Sequence, residues 1–395
     1  MSIVDHLTLI GPTGTNKVMG GELSRLVKRA FDDVRLPEPQ KEGQGALHYP
    51  FEARVAALAA QYHRTSSRVL WTLYQCRAAR LEPLYGELFA DIESDPRPWL
   101  RDGLTFSIEP GPTHEFAAGG RQLVGVAKNA LLAAAERRGL ALTVNPENPD
   151  LLLTLRVHEG VFSLAIDLAG GPMHLRGYRS EGGGAAPLRE NLAAILVMLS
   201  RFDARSEALV DPMSGSGTIP IEAACMAQGR PVFSPKREPA LKRLPIFADF
   251  LKNPPAPLFG DTEPLLFANE LDTVTHQRAV ANARRAGVPE LVRFSNGDFR
   301  RLEPARIRAA AQAQHKNPDA GVILCNPPYG ERLDPPDLRL LYRDLGEWCR
   351  GFPGWRAAFI VANPDFRVAF GGAPRIDKPL NNGPIKAWFY LYEMR

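Results

Sequence analysis

No stretch of this chain approaches the ~18 consecutive apolar residues of a membrane-spanning helix; the apolar run Ile195 to Leu199 is only a helix face. A basic-then-apolar leader is also missing from the amino terminus. These two absences predict a soluble, cytoplasmic protein. Cysteine is scarce, and Cys76, Cys225, Cys325 and Cys349 lie far apart with no metal-ligand spacing, which predicts free thiols in a reducing compartment. The eight histidines, among them His48, His63, His174 and His276, form no cluster either, so no metal is expected. Internal repeats and low-complexity tracts are absent. Excess charge of one sign is nearly absent too: the formal net charge is +4. Residues 1–168 carry 18 Lys+Arg against 20 Asp+Glu, a net of −2, and residues 169–395 carry 30 against 24, a net of +6. Any contact with a polyanion therefore rests on local patches. The candidates are Arg176 and Arg179, Lys236-Arg237 with Lys242-Arg243, and Arg300-Arg301, although such pairs are more often solvated surface than contacts.

What is present is enough apolar residue for real cores, 45% of 395 residues, at a length that predicts two or three domains. The amino-terminal half alternates patterns. Leu7 to Ile10, Ala46 to Tyr49, Arg68 to Arg77 and Leu104 to Ile108 read as strands; Leu23 to Phe31, Ala53 to Gln61, Leu81 to Phe89 and Leu123 to Gly139 read as helices. Leu151 to His158 and Val161 to Leu168 read as a hairpin around Glu159-Gly160. No catalytic constellation lies in this half.

The chemistry lies later. Gly321 to Cys325 reads as a buried strand running into Asn326-Pro327-Pro328-Tyr329-Gly330. Two prolines forbid continuation, so this is a rigid loop at a strand end, where open α/β sheets bind ligands. Asn326 offers an amide oxygen, Pro327 a free carbonyl and Tyr329 a flat ring. Two acceptors and a stacking surface suit an exocyclic amine on a nucleobase. The plainer alternative is a proline-rich turn with a capping asparagine.

Upstream, Ala208 to Asp211 reads as a strand, Pro212 to Thr218 as a glycine-rich turn and Ile219 onward as a helix. Pro220 stands where a dinucleotide fingerprint has its third glycine, so a pyrophosphate is not the ligand expected. A phosphate-free adenosine ligand, S-adenosylmethionine, fits better, and Asp211 suits its positive charges. Leu265 to Glu270 reads as the next strand, with Glu270 placed to accept ribose hydroxyls; Asp272 is the alternative, or a helix cap. Val292 to Phe299 reads as a strand and turn, where Asp298 could take the adenine amine and Phe299 pack on its ring; a plain strand-end turn is the common alternative. The proline-rich insertion 229–263 reads as a loop with little regular structure.

These four strand-end motifs resemble class I S-adenosylmethionine-dependent methyltransferases of the Asn-Pro-Pro-Tyr type. Leu168 to Arg179, Ala186 to Ala193, Asp211 to Ala224, Asn326 to Leu333 and Asn381 to Ile385, in that order, are similar to bacterial THUMP-domain guanine-N2 methyltransferases of 23S rRNA. Ser214 stands where that family often has cysteine. The resemblance implies an α/β Rossmann-like methyltransferase domain with a mostly parallel seven-stranded sheet, preceded by an α+β ferredoxin-like and THUMP RNA-binding region. Its expected boundaries are 1–44 for the ferredoxin-like piece, 45–168 for THUMP and 169–395 for the methyltransferase. It implies base flipping, with Asn326, Pro327, Pro328 and Tyr329 as the catalytic set. Asp211, Pro212, Ser214, Gly215, Gly217, Thr218, Glu270, Asp298 and Asn326 would surround S-adenosylmethionine. A tRNA guanine-N2 enzyme, an adenine-N6 DNA methyltransferase and an inactive RNA-binding assembly factor are the alternatives. The chain ends where one such domain would finish, so a single methylation is expected.

Overall fold

A computed structural model describes residues 2–43, 45–77, 80–111, 119–179, 188–232, 239–254, 262–328, 335–383 and 385–395. In chain order its elements begin with β1 (Ser2–Ile10), α1 (Asn16–Ala30), β2 (Gln40–Glu42), β3 (Ala46–Pro50), α2 (Ala53–Tyr62), β4 (Arg68–Arg77), α3 (Leu81–Ser94), β5 (Thr105–Pro110), α4 (Gly120–Arg137), β6 (Thr143–Val144), β7 (Leu151–His158) and β8 (Val161–Asp167). They continue with α5 (Glu190–Leu199), β9 (Ala208–Asp211), α6 (Thr218–Ala227), α7 (Ala248–Lys252), β10 (Leu265–Glu270), α8 (Thr273–Arg285), β11 (Val292–Asn296), α9 (Pro304–Ala313), β12 (Gly321–Cys325), α10 (Pro335–Cys349), β13 (Arg356–Val361), α11 (Phe366–Phe370), β14 (Ile376–Pro379) and β15 (Trp388–Glu393).

One compact unit comprises Met1–Gly11, Glu22–Met173 and Val232–Pro255. Its strands form one mixed sheet in the order β2-β3-β1-β4-β8-β7-β5-β6. Alternation assigns the faces. Leu7 and Leu9 share one face with Leu47, Tyr49, Val69 and Trp71, all buried. On the other face Thr8 Oγ1 lies 2.8 Å from both His48 Nδ1 and Thr72 Oγ1. The expected hairpin of β7 and β8 turns at Glu159 (φ 48°) and Gly160 (φ 73°), two consecutive left-handed residues as a tight hairpin needs.

The insertion is more regular than its sequence suggested, which corrects the expectation of a loop. Its described residues form 3-10 turns at Ala240–Lys242 and Pro245–Phe247 and then α7. Its buried apolar residues, Leu241, Leu244, Phe247 and Phe250, recur every three residues, the repeat of a 3-10 turn. Phe247 is fully buried, edge-on to Phe51 and Trp71 at centroid separations of 6.3 and 6.5 Å. The Val232 N–H donates to the Gln61 carbonyl at 2.7 Å.

The second unit comprises Pro12–Gly21, His174–Pro231 and Ala256–Arg395. Its seven-stranded sheet has the order β11-β10-β9-β12-β13-β15-β14. The first five strands in that order are parallel, and β15 runs antiparallel to both β13 and β14. Continuous apolar strands are what a sheet covered on both faces requires. Leu209, Val322, Leu324, Ala358 and Ile360 face one core with Ile195, Leu196 and Ile221. Val210, Ile323, Ala357 and Phe359 face the other with Ile307, Tyr342, Leu345 and Phe366. Chain order reverses direction at β9: β10 and β11 extend the sheet on one side, β12 and β13 on the other. The carboxyl ends of β9 and β12 therefore flank the topological switch point, where such sheets form a ligand crevice.

Candidate active site

Three strand ends meet at this switch point. β9 ends in Asp211, which is buried. Burial, and then the nearby Glu270 carboxylate, push the Asp211 carboxyl up to about 8, while the Met213 N–H and the Cys325 side chain offset some of this. A cation beside it would draw this carboxyl back towards its ionised form. The chain then makes the expected turn. Gly215 (φ 54°) and Gly217 (φ 82°) are left-handed, the conformation that favours glycine. A Cβ on Gly215 would enter open space, so backbone is exposed to a ligand there. A Cβ on Gly217 would lie 3.2 Å from Ala279 Cβ, so this glycine serves close packing of the turn against α8.

Glu270, at the end of β10, braces the turn. Its Oε2 accepts from the Gly215 N–H and its Oε1 from the Asp272 N–H, each at 2.9 Å. A carboxylate has about four acceptor positions, so two remain for ribose hydroxyls. Asp272 is a helix cap, accepting from the Thr275 N–H at 2.7 Å, which favours Glu270 as the ribose acid. Asp298 also caps: it accepts from the Arg300 N–H at 3.0 Å and pairs with the Arg300 guanidinium, which also reaches Asp344 at 2.8 Å. The Phe299 ring is buried against Trp348, in the core rather than available to an adenine.

Sequence reasoning passed over Asn269. It is buried, and its Nδ2 donates to the Pro212 and Gly297 carbonyls at 3.1 and 2.8 Å. Its Oδ1 accepts from Ser295 Oγ and its carbonyl from the Ser214 N–H, at 2.9 and 2.8 Å. One amide thus ties the glycine turn to the ends of β10 and β11. Its position beside Glu270 was the only available signal.

Asn326, Pro327 and Pro328 leave β12 immediately beside β9. Pro327 is buried and Asn326 half-buried. The loop is anchored from α10, where the buried Tyr342 hydroxyl donates to the Pro328 carbonyl at 2.7 Å. Among the described residues, neither the Asn326 side chain nor the Pro327 carbonyl has a hydrogen-bond partner. Tyr329 and Gly330, and Ala186 and Pro187 of the motif before α5, lie outside the described residues.

The basic candidates fare differently. Arg176 and Arg179, offered as phosphate contacts or solvated surface, instead face carboxylates of their own chain, and Arg176 is buried. Arg176 is 8% exposed, with its Nε 3.5 Å from Glu222 Oε1, and Arg179 Nε lies 3.4 Å from Glu190 Oε1. Their charges are answered inside the protein. Arg300 is committed to two carboxylates, Arg243 Nε lies 3.4 Å from Asp150 Oδ1, and Lys236 and Arg237 lie outside the described residues. Among the described residues, no group of three or more His, Cys, Asp or Glu could hold a metal, and no helix is long and apolar enough to cross a membrane.

A family profile described as "UPF0020: RMKL-like, methyltransferase domain" matches residues 176–389, more than half of the chain. Among solved structures, SMU.472 in complex with SAH is 23% identical at a TM-score of 0.80, covering 100% of this chain and 99% of that one. A possible methylase from Clostridium difficile 630 is 25% identical at a TM-score of 0.79, covering 99% of this chain and 98% of that one. TrmN from Thermus thermophilus is 20% identical at a TM-score of 0.67, covering 99% and 100%. SMU.472 and TrmN share the fold over the whole chain.

Proposed function

The chain belongs to the UPF0020 family of RMKL-like methyltransferase domains, and from that premise we propose that it methylates the exocyclic N2 amine of a guanine in RNA, 23S rRNA before tRNA. The methyl donor is S-adenosylmethionine. The observation that carries this reading is the adjacency of two different loops on neighbouring parallel strands. Beside β9 is a left-handed glycine turn braced by Glu270; beside β12 are the acceptors of Asn326 and Pro327, without partners among the described residues. One loop suits an adenosine ligand and the other a nucleobase amine, at one crevice.

The residues fit the donor. The open space over Gly215 admits it, Glu270 retains capacity for its ribose, and the raised Asp211 carboxyl suits a cationic ligand. Ser214 Oγ, buried and without a partner among the described residues, supplies a further donor at the turn. Asp298 is kept as the candidate acceptor for the adenine amine, beside its role as a cap, and Pro212 and Thr218 complete the turn. When bound, S-adenosylmethionine supplies an electrophilic methyl group on a sulfonium. Asn326 Oδ1 and the Pro327 carbonyl accept the two hydrogens of the guanine amine, which favours a pyramidal nitrogen with its lone pair free. Tyr329 stacks on the flipped base, and Pro328, held by Tyr342, stiffens the loop. The amine becomes cationic as it gains the methyl group and then loses a proton to solvent, so no buried general base is needed. Residues 45–168, with the ferredoxin-like residues 1–44, are proposed to hold the RNA while 169–395 carries the chemistry.

Nucleoside mass spectrometry of 23S rRNA and tRNA from a strain lacking this protein, with and without the restored gene, tests the reading. Loss and return of one N2-methylguanosine in 23S rRNA is expected. The same loss in tRNA would transfer the substrate to tRNA. Loss of N6-methyladenosine would move it to the adenine class, and unchanged nucleosides would refute the assignment.

A further inference from the structure

The segment Arg176-Gly177-Tyr178-Arg179 lies against the starts of α5 and α6, and its polar groups serve the donor turn. The Tyr178 hydroxyl donates to Glu222 Oε1 at 3.3 Å, sharing that carboxylate with Arg176. Arg179 Nη2 donates to Thr218 Oγ1 at 2.6 Å and to the Leu188 carbonyl, while its Nε faces Glu190 at the first turn of α5. From the other side, Arg285 Nε donates to the Tyr178 carbonyl at 2.6 Å, and Asn282 Nδ2 donates to the Ser216 carbonyl at 2.9 Å.

Helix stability does not explain the contact between Arg179 and Thr218. Thr218 is the first residue of α6, and a cation there opposes the helix dipole. The contact does decide a proton. A hydroxyl that accepts from a guanidinium keeps its own hydrogen for another acceptor. Within the turn the neighbouring hydroxyl, Ser216 Oγ, lies at a long 3.4 Å. A second hydroxyl of the same turn, Ser214 Oγ, is buried on a residue only 9% exposed and has no partner among the described residues. Two hydroxyls with hydrogens to give, beside the Thr218 and Ile219 N–H groups that open a ten-residue helix (Pro220 has none and the Ile221 N–H is taken by the Gly217 carbonyl), form a donor set that suits a carboxylate. In the donor proposed above, the carboxylate belongs to the methionine tail.

We infer that Arg179 is a positioning residue for the carboxylate end of the methyl donor: it touches no substrate, but turns the Thr218 hydroxyl towards that carboxylate and fixes the first turn of α6. This rests on the S-adenosylmethionine reading. Glu190 balances the charge of Arg179, so what the guanidinium contributes is its fork, binding Thr218 and Leu188 through one nitrogen while a second faces Glu190. Lysine has no such fork.

Calorimetry of the full chain with two probes tests this. S-adenosylhomocysteine carries the carboxylate tail; 5′-methylthioadenosine keeps the adenosine and the sulfur and lacks that tail. For Arg179→Lys and for Thr218→Val the expected result is a loss of about tenfold in S-adenosylhomocysteine affinity, the effect of removing one hydrogen bond to a charged group. The double variant should lose little more than either single variant, because both remove the same interaction. Affinity for 5′-methylthioadenosine should stay within about twofold of wild type throughout. Equal weakening of both probes would mean that Arg179 merely supports the fold, and unchanged S-adenosylhomocysteine affinity would mean that it does not reach the donor; either overturns the inference. A wild-type protein that binds neither probe would instead refute the donor reading beneath it. Thr218→Val, close to isosteric, keeps the test decisive if Arg179→Lys does not fold.

Discussion

A carboxyl raised by burial towards neutral pH is poised to respond to a cation, and Asp211 is such a group. Its folded value of about 8 lies far above the 3.8 of a free aspartate, because it is buried and faces Glu270. The stability it contributes is therefore complete below about pH 4 and is lost as pH rises towards 8. Asp211→Asn removes that loss, so the variant should gain on wild type between pH 5 and pH 8, by at most about 1.4 kcal/mol per pH unit. Urea unfolding at the two pH values checks it; a pH-independent difference would show Asp211 ionised throughout. A cationic donor should expel the proton, and calorimetry in buffers of different ionisation enthalpy should detect up to one released near pH 7. That an acid belongs at the end of β9 was legible in the sequence. Its protonation was not, because burial and the approach of Glu270 and Cys325 are properties of the assembled sheet.

At the scale of elements, the two glycines of the donor turn have separate tasks. Gly217→Ala places a methyl 3.2 Å from Ala279 and 3.3 Å from Ile221 Cδ1 at a φ of 82°, whereas Gly215→Ala meets no atom within 4 Å. Both carry left-handed strain of about 1–2 kcal/mol, and only the first adds crowding. Thermal unfolding should rank Gly217→Ala below Gly215→Ala, while Gly215→Ala should chiefly weaken donor binding. Equal losses would remove the distinction. Tyr342→Phe deletes the hydrogen bond from α10 to the Pro328 carbonyl. It should cost about 1 kcal/mol of stability and lower turnover by a few fold with donor affinity unchanged, which single-turnover assays read directly. The strand-turn-helix pattern and the proline loop were readable because their signals are local. Asn269 had only its place beside Glu270 as a signal, and Tyr342 had none, since nothing local distinguishes a core tyrosine that anchors a loop from an ordinary core residue.

For the whole molecule, the chain passes between its two units five times, because Pro12–Gly21 belongs to the second unit and Val232–Pro255 to the first. Neither assignment was visible in composition: the insertion looked like loop, and its buried Leu241, Leu244, Phe247 and Phe250 recur every three residues, the repeat of a 3-10 turn rather than that of an α-helix or a strand. A fragment of residues 169–395 thus lacks a piece of its own unit and carries apolar residues whose partners are gone. It should melt lower than the full chain and aggregate more readily, and replacing 232–255 by a short Gly/Ser linker should reduce the aggregation. Donor binding should survive in the fragment, and RNA methylation should be poor. Full activity on RNA from such a fragment would refute a substrate-holding role for the first 168 residues.

The most direct test is single-turnover methyl transfer from labelled S-adenosylmethionine to RNA, by wild type and by Asn326→Ala, with donor affinity measured in parallel. The expected result is a rate lowered by more than about tenfold, a loss of ~1.4 kcal/mol at the transition state, with donor affinity within about twofold. Equal rates for the two proteins would remove the loop after β12 from the chemistry and contradict the assignment of this crevice as the site of methyl transfer.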